Sequence, residues 1–212
     1  DNGQQLVSQG RISMSRINDA VRRILRVKFR AGLFEHPYVD PAKAEAAQLR
    51  PDAVAAARKA SGRSMVLLKN EGKLPFSKSK STAVIGPLGD DQHDMLGPWW
   101  GVGRDQDAVS VFDGIKAQDP NTTFAQGCTI VDRDPPDPPN DECGSDAGFD
   151  QAVGTARAAD QVVLALGETR GESGEAESRS NIDLPGKQEE LIDRIKALGK
   201  PFVVVLFNGR PL

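Results

Sequence analysis

The chain has 212 residues, 38% of them hydrophobic, and a formal net charge of −3. That is enough sequence for one or two domains with a real apolar core, in an ordinary globular composition. So small a charge gives no electrostatic case for nucleic acid or an anionic membrane, and no apolar run approaches the roughly 18 residues of a membrane-spanning helix. There is no initiator Met and no signal peptide, and the first residues read as the middle of something longer, so a fragment is expected.

Residues 1–12 read as the tail of a helix turning at Gly10. Ser13 or Ser15 is suited to cap the next helix, which sets Ile17, Val21, Ile24, Leu25 and Phe29 on one face and arginines on the other. Gly32 stands where that helix should stop, and Pro37 prevents its resumption. So amphipathic a helix needs a partner. Nothing else in the first 40 residues supplies one, which points to a domain preceding this sequence. Residues 35–51 read as an interdomain connection, dividing the chain into 1–40 and 41–212. Pro51-Asp52 then opens a helix from Ala53 to about Leu68, with Ala, Val and Met inward and Asn70-Glu71-Gly72 as its end.

Ala83-Val84-Ile85 reads as a buried strand stopped by Gly86-Pro87, and the loop beyond carries Leu96-Gly97-Pro98-Trp99-Trp100-Gly101. Two readings of the paired tryptophans stay open. One Trp plugs the core beneath the loop, or the pair forms an aromatic platform for the apolar face of a sugar ring. Val109–Ala117 reads as a helix and Thr122–Ala125 as a strand. Cys128 and Cys143 lie in one Asp/Pro-rich loop, with residues 131–148 as a surface insertion. A disulfide formed in an oxidising compartment and two free thiols are both open there. The aspartates of this loop match no EF-hand spacing, and His36 and His93 are far apart, so no metal site is expected.

Phe149–Ala158 reads as a short helix and Gly186–Leu198 as a longer one with Leu191, Ile192, Ile195 and Leu198 inward, and Phe202–Phe207 as an apolar strand. Strands alternating with helices, each strand a continuous apolar run, predict an α/β fold with a parallel sheet covered on both faces. Neither Gly86 nor Gly167 belongs to a GxGxxG or GxxxxGK[ST] motif. That weighs against a nucleotide-binding half-domain, and no cofactor is expected.

The central stretch is Val162 to Arg179. Val162–Leu166 has the pattern of a buried strand, and Gly167 breaks it. The next loop holds four glutamates, two arginines and three glycines within residues 167–179. A buried strand aims the residues beyond its carboxyl end into the crevice where open α/β sheets place ligands. A carboxyl group there is poised as a proton donor where apolar surface or a neighbouring carboxylate raises its pKa. A solvated acidic loop has the same composition.

Several segments, in order, resemble the family 3 glycoside hydrolases, most closely the periplasmic bacterial β-glucosidases among them. Ile17-Asn18-Asp19-Ala20-Val21-Arg22-Arg23-Ile24-Leu25 with Gly32-Leu33-Phe34 is similar to the last helix of that family's (β/α) barrel. Ser64-Met65-Val66-Leu67-Leu68-Lys69-Asn70 with Leu74-Pro75 is similar to the start of its second, α/β sandwich domain. Val84-Ile85-Gly86-Pro87-Leu88, Leu96-Gly97-Pro98-Trp99, Gly167-Glu168, Gly174-Glu175-Ala176-Glu177-Ser178-Arg179 and Asn208-Gly209-Arg210-Pro211-Leu212 continue the match, which spares only the Asp/Pro insertion.

The resemblance implies a retaining β-glycosidase acting on terminal β-D-glucosyl residues, periplasmic or extracellular. The barrel outside this chain would be its partner and would carry an aspartate nucleophile. Glu175 becomes the general acid/base, with Glu172 and Glu168 as lesser candidates and Glu168 oriented toward holding the loop. Arg179 becomes a site residue or the ion-pair partner of that loop, and Trp99 or Trp100 lines the aglycone side. A secreted parent implies the Cys128–Cys143 bridge. The alternative is a non-catalytic fragment that binds carbohydrate or a partner.

Overall fold

The computed structural model describes residues 2–131 and 141–212, with only the backbone of Val131, Asp141 and Glu142. The chain divides into two compact units, Asp1–Leu67 and Leu68–Leu212.

The first unit is helical: α1 (Asn2–Ser8), α2 (Met14–Arg30), α3 (Pro41–Ala46) and α4 (Pro51–Ser64). Ser13 caps α2 by accepting a hydrogen bond from Arg16 N, and Gly32 comes after it at φ +67, the left-handed conformation that closes a helix. Among the described residues of this unit no element covers the apolar stripe of α2, where Ile24 and Phe29 are each 60% exposed. Two expectations are corrected. The connection at 35–51 contains α3, because Asp40 accepts from Ala42 N and Pro41 supplies a ready-made first turn. The next helix ends at Ser64 rather than Leu68 and buries none of its residues. Ser64 turns its hydroxyl back to Ser61 O, Met65 is extended, and Asn70 instead organises a separate turn through its contacts with Lys73 and Leu74.

The second unit is built on a parallel sheet of β1 (Thr82–Ile85), β2 (Thr123–Ala125), β5 (Gln161–Gly167) and β6 (Phe202–Phe207), in the order β2-β1-β5-β6. Between them run α5 (Val111–Lys116), a small antiparallel pair β3 (Ile130–Val131) and β4 (Asp141–Glu142), α6 (Phe149–Ala158) and α7 (Gln188–Lys196). Alternate residues of the strands meet α6 and α7: Ile85, Val162, Leu164 and Leu166 pack with Phe149, Ala152, Leu191 and Ile195 in one core. Ile192 and Leu198, expected inward, are only partly buried against it. Cys128 and Cys143 form a disulfide beside this core. Residues 132–140 of the Asp/Pro insertion lie outside the described residues.

The strands are apolar because β1 and β5 are buried on both faces. β6 departs from that expectation. Among the described residues it lies, like β2, at an edge of the sheet, and Val204 and Val205 are 39% and 36% exposed.

Gly167 ends β5 at φ +139, and a Cβ there would lie 1.9 Å from Phe207 O. Replacing it with Ala should cost the unit upward of about 3 kcal/mol, through backbone strain and collision with β6. Gly199 also has positive φ (+67) but open space around it. Gly199→Ala should therefore cost only about 1 kcal/mol, so denaturant unfolding of the two variants separates strain from collision.

Candidate active site

The carboxyl ends of β5 and β6 are locked together before any loop begins. Glu168 N donates to Phe207 O at 2.8 Å, extending the ladder by one residue. From the other side Gln188, fully buried on α7, treats Gly167 as a strand partner. Its Oε1 accepts from Gly167 N and its Nε2 donates to Gly167 O, both at 2.8 Å. The backbone that launches the glutamate loop is thus fixed on both sides.

Glu168 is the first residue past the strand, with only 1% of its side chain exposed. A carboxylate taken so far out of water needs partners. Arg179 Nη1 donates to its Oε1 at 2.9 Å, and Gly209 N reaches its Oε2 at 3.3 Å. Arg210 Nε stands 2.9 Å from Oε1 as an ion pair, its N–H aimed off the line between them, so that contact is electrostatic rather than a directed hydrogen bond.

Each arginine also holds backbone: Arg179 donates to Asp183 O at 3.3 Å, and Arg210 to Glu172 O and, at 3.2 Å, to Glu177 O. Glu172 closes a capping box on a 3₁₀ turn, Arg170–Glu172, its Oε2 accepting from Thr169 N at 2.8 Å while its Oε1 faces Arg179 at 3.4 Å. Two arginines and two buried glutamates therefore form one compact, formally charge-balanced network.

Glu175 is placed differently. It sits between Gly174 (φ +126) and Ala176, itself at φ +69, on an exposed turn. Among the described residues no hydrogen bond or ion pair holds its carboxylate. Of the three glutamates singled out in this loop, Glu168 and Glu172 are built into the loop's support, and Glu175 alone is presented to solvent.

The facing loop, after β1, supplies the aromatic pair. Trp99 is 74% and Trp100 41% exposed, so neither is a plug beneath the loop. The guanidinium of Arg170 lies 4.4 Å over the Trp100 ring, within cation–π range. At the start of this loop Asp94 Oδ1 accepts from Arg170 N at 2.6 Å. Burial pushes the Asp94 carboxyl up to about 7; the adjacent Asp91 adds to the rise, and the Arg170 N–H and His93 oppose it.

Sequence reasoning passed over three of these residues. Arg210 carried a readable signal, since a charged residue just beyond an all-apolar strand has the same relation to β6 that Glu168 has to β5. Gln188 and Asp94 had none: one is an amide on an amphipathic helix, the other one aspartate in an acidic run.

Arg210→Met should lower the stability of the second unit by about 2–4 kcal/mol, since it removes charged hydrogen bonds and leaves Glu168 underneutralised. In that background Glu168→Gln should cost much less than it does alone. Urea unfolding of the four proteins in this cycle gives the coupling, and additive losses would show that no network exists.

Residues 65–212 match the model of the glycosyl hydrolase family 3 C-terminal domain. The chain is 38% identical to a periplasmic β-glucosidase of Salmonella typhimurium, over 98% of this chain and 29% of that protein. It is 34% identical to a β-xylosidase of Formosa agariphila, over 94% of this chain and 27% of the relative. Among solved structures, a β-glucosidase from Listeria innocua in complex with gluconolactone superimposes with a TM-score of 0.80 at 33% identity, covering 99% of this chain and 27% of that one. The chain thus spans less than a third of the length of these relatives. It belongs to glycosyl hydrolase family 3, with residues 65–212 as the C-terminal domain of that family.

Proposed function

We propose that this chain is the part of a retaining β-glycosidase that supplies its general acid/base, Glu175. The observation that carries the reading is the contrast within one loop: Glu168 and Glu172 are committed to its support while Glu175 stands exposed on the turn they brace. A group that must give a proton to a departing oxygen, and later take one from water, has to reach a substrate. Among the described residues Glu175 and Glu177 are the carboxyls of this loop left exposed, and the likeness of the Gly174–Arg179 segment to the family's acid/base loop selects Glu175.

On this reading residues 1–40 end a (β/α) barrel domain, the stretch from 41 leads into the α/β sandwich of 65–212, and the barrel carries the aspartate nucleophile. Retention requires two carboxyls about 5–5.5 Å apart across the scissile bond. The ionised aspartate attacks the anomeric carbon as Glu175 protonates the leaving oxygen. Glu175, now a carboxylate, then takes a proton from water as that water displaces the aspartate from the sugar. The substrate is a terminal, non-reducing β-D-glucosyl residue, in keeping with the β-glucosidase relatives. The exposed Trp99 and Trp100 edge would line the aglycone side. Arg179 acts through the loop rather than on the sugar. The likeness to a periplasmic enzyme, together with the disulfide, supports a periplasmic or extracellular location.

The β-xylosidases among the relatives favour one second reading, in which the glycone is xylose. Parallel assays on aryl β-glucosides and β-xylosides separate the two. In the full-length protein Glu175→Ala should lose about 10²–10⁴-fold on substrates with poor leaving groups and far less on activated ones. Added azide should restore turnover as a β-glycosyl azide of retained configuration. Wild-type rates in the variant would remove Glu175 from the chemistry.

A further inference from the structure

The glutamate loop is gripped on two sides. The Glu168 network holds it from β6; three contacts hold it from the loop after β1. Asp94 Oδ1 accepts from Arg170 N at 2.6 Å, joining residues 76 positions apart. The Arg170 side chain then covers Trp100 at 4.4 Å. Four residues further on, Gly174 lies so close to Pro98 that a Cβ on it would sit 3.0 Å from the Pro98 Cβ. Asp94, Pro98 and Trp100 on one loop thus face Arg170 and Gly174 on the other. Gly174 is the immediate neighbour of Glu175.

Of these contacts only the Asp94 hydrogen bond reaches the backbone of the 3₁₀ turn from which residues 173–178 spring. We propose that Asp94 is a positioning residue for the acid/base: through the Arg170 N–H it fixes the turn that sets where Glu175 points. The inference rests on Glu175 being the acid/base. Because no hydrogen bond or ion pair among the described residues holds the Glu175 carboxylate, its direction is set by the stems of its loop. A displacement of about 1 Å at a reacting group is enough to cost roughly 10²-fold in rate.

The groups that face Asp94 are Asp91 and His93 from its own loop, His93 itself being held by Asp105 at 3.1 Å, and Arg170 from the other. With the contact closed, burial pushes the Asp94 carboxyl up from 3.8 to about 7. A group whose pKa is raised on closing favours closure when protonated. The contact is therefore strongest below the ordinary carboxylate range and weakens as pH climbs to about 7, with no further loss above. Asn keeps the acceptor oxygen and has no charge to bury, so Asp94→Asn mimics the protonated form at every pH.

Two readouts test this. In the present chain, amide hydrogen exchange at Arg170 and over residues 171–178 should rise about tenfold or more in Asp94→Ala. In Asp94→Asn it should stay within about threefold of wild type at pH 4, where the wild-type carboxyl is still largely protonated with the contact closed. Corrected for intrinsic rates, protection should fall from pH 5 to 8 in wild type and stay level in Asp94→Asn. In the full-length protein Asp94→Ala should lose about 10²-fold in kcat/KM on an alkyl β-glucoside and little on a dinitrophenyl β-glucoside, with Asp94→Asn restoring the former. Unchanged exchange at Arg170 in Asp94→Ala overturns the proposal, as does faster exchange with a wild-type leaving-group pattern. If Glu175→Ala itself shows no leaving-group dependence, the premise fails. That result is distinct from failure of the contact, which the exchange data report without reference to chemistry.

Discussion

A single buried carboxylate governs this end of the sheet. Glu168 leaves β5 at the point where the backbone must turn away, with 1% of its side chain in contact with water. Ionised there alone it would be ruinous, so its presence requires that positive charge be brought to it. The charge comes from two directions: Arg179, eleven residues along the same loop, and Arg210, which arrives from beyond β6. Each arginine directs its remaining donors to backbone carbonyls of the loop. One anion therefore dictates where both the middle of the loop and the segment after β6 must lie.

The consequence is a division of labour among chemically identical side chains. Glu168 and Glu172 are neutralised and hydrogen-bonded within the loop, which makes them supports. Glu175 is carried past them on a turn flanked by two positive-φ residues, Gly174 and Ala176, and faces outward. The backbone strain of a non-glycine residue at φ +69 persists only where its surroundings over-determine it. Here the stems of the turn are held by Arg210 on Glu177 O and by the loop after β1 on Arg170 and Gly174.

Much of this was legible in the sequence because continuous apolar runs are a strong signal. Phe202–Phe207 and Phe149–Ala158 have the ends that their composition predicts, and the parallel α/β architecture comes from their alternation. The charge directly after the buried strand at Gly167 marked a candidate site, although a solvated acidic loop has the same composition. What was not legible depends on partners far away in sequence. Gln188 is inconspicuous until α7 is seen to bring its amide to Gly167, and Asp94 until its loop is laid against Arg170. Exposure also defeated the pattern in two places. α4 has the apolar spacing of a packed helix yet buries none of its residues, and β6 is as apolar as β5 but sits at the sheet edge.

The most direct measurement is a crystal structure of the full-length protein carrying Glu168→Met, a side chain of similar size without charge. If the carboxylate organises the loop, β1, β5 and β6 should superimpose on the parent while Arg179 and Arg210 swing to solvent and residues 170–179 move, taking the Glu175 turn out of place. A variant whose loop and Glu175 coincide with the parent, both arginines still in position, would contradict the central role of Glu168.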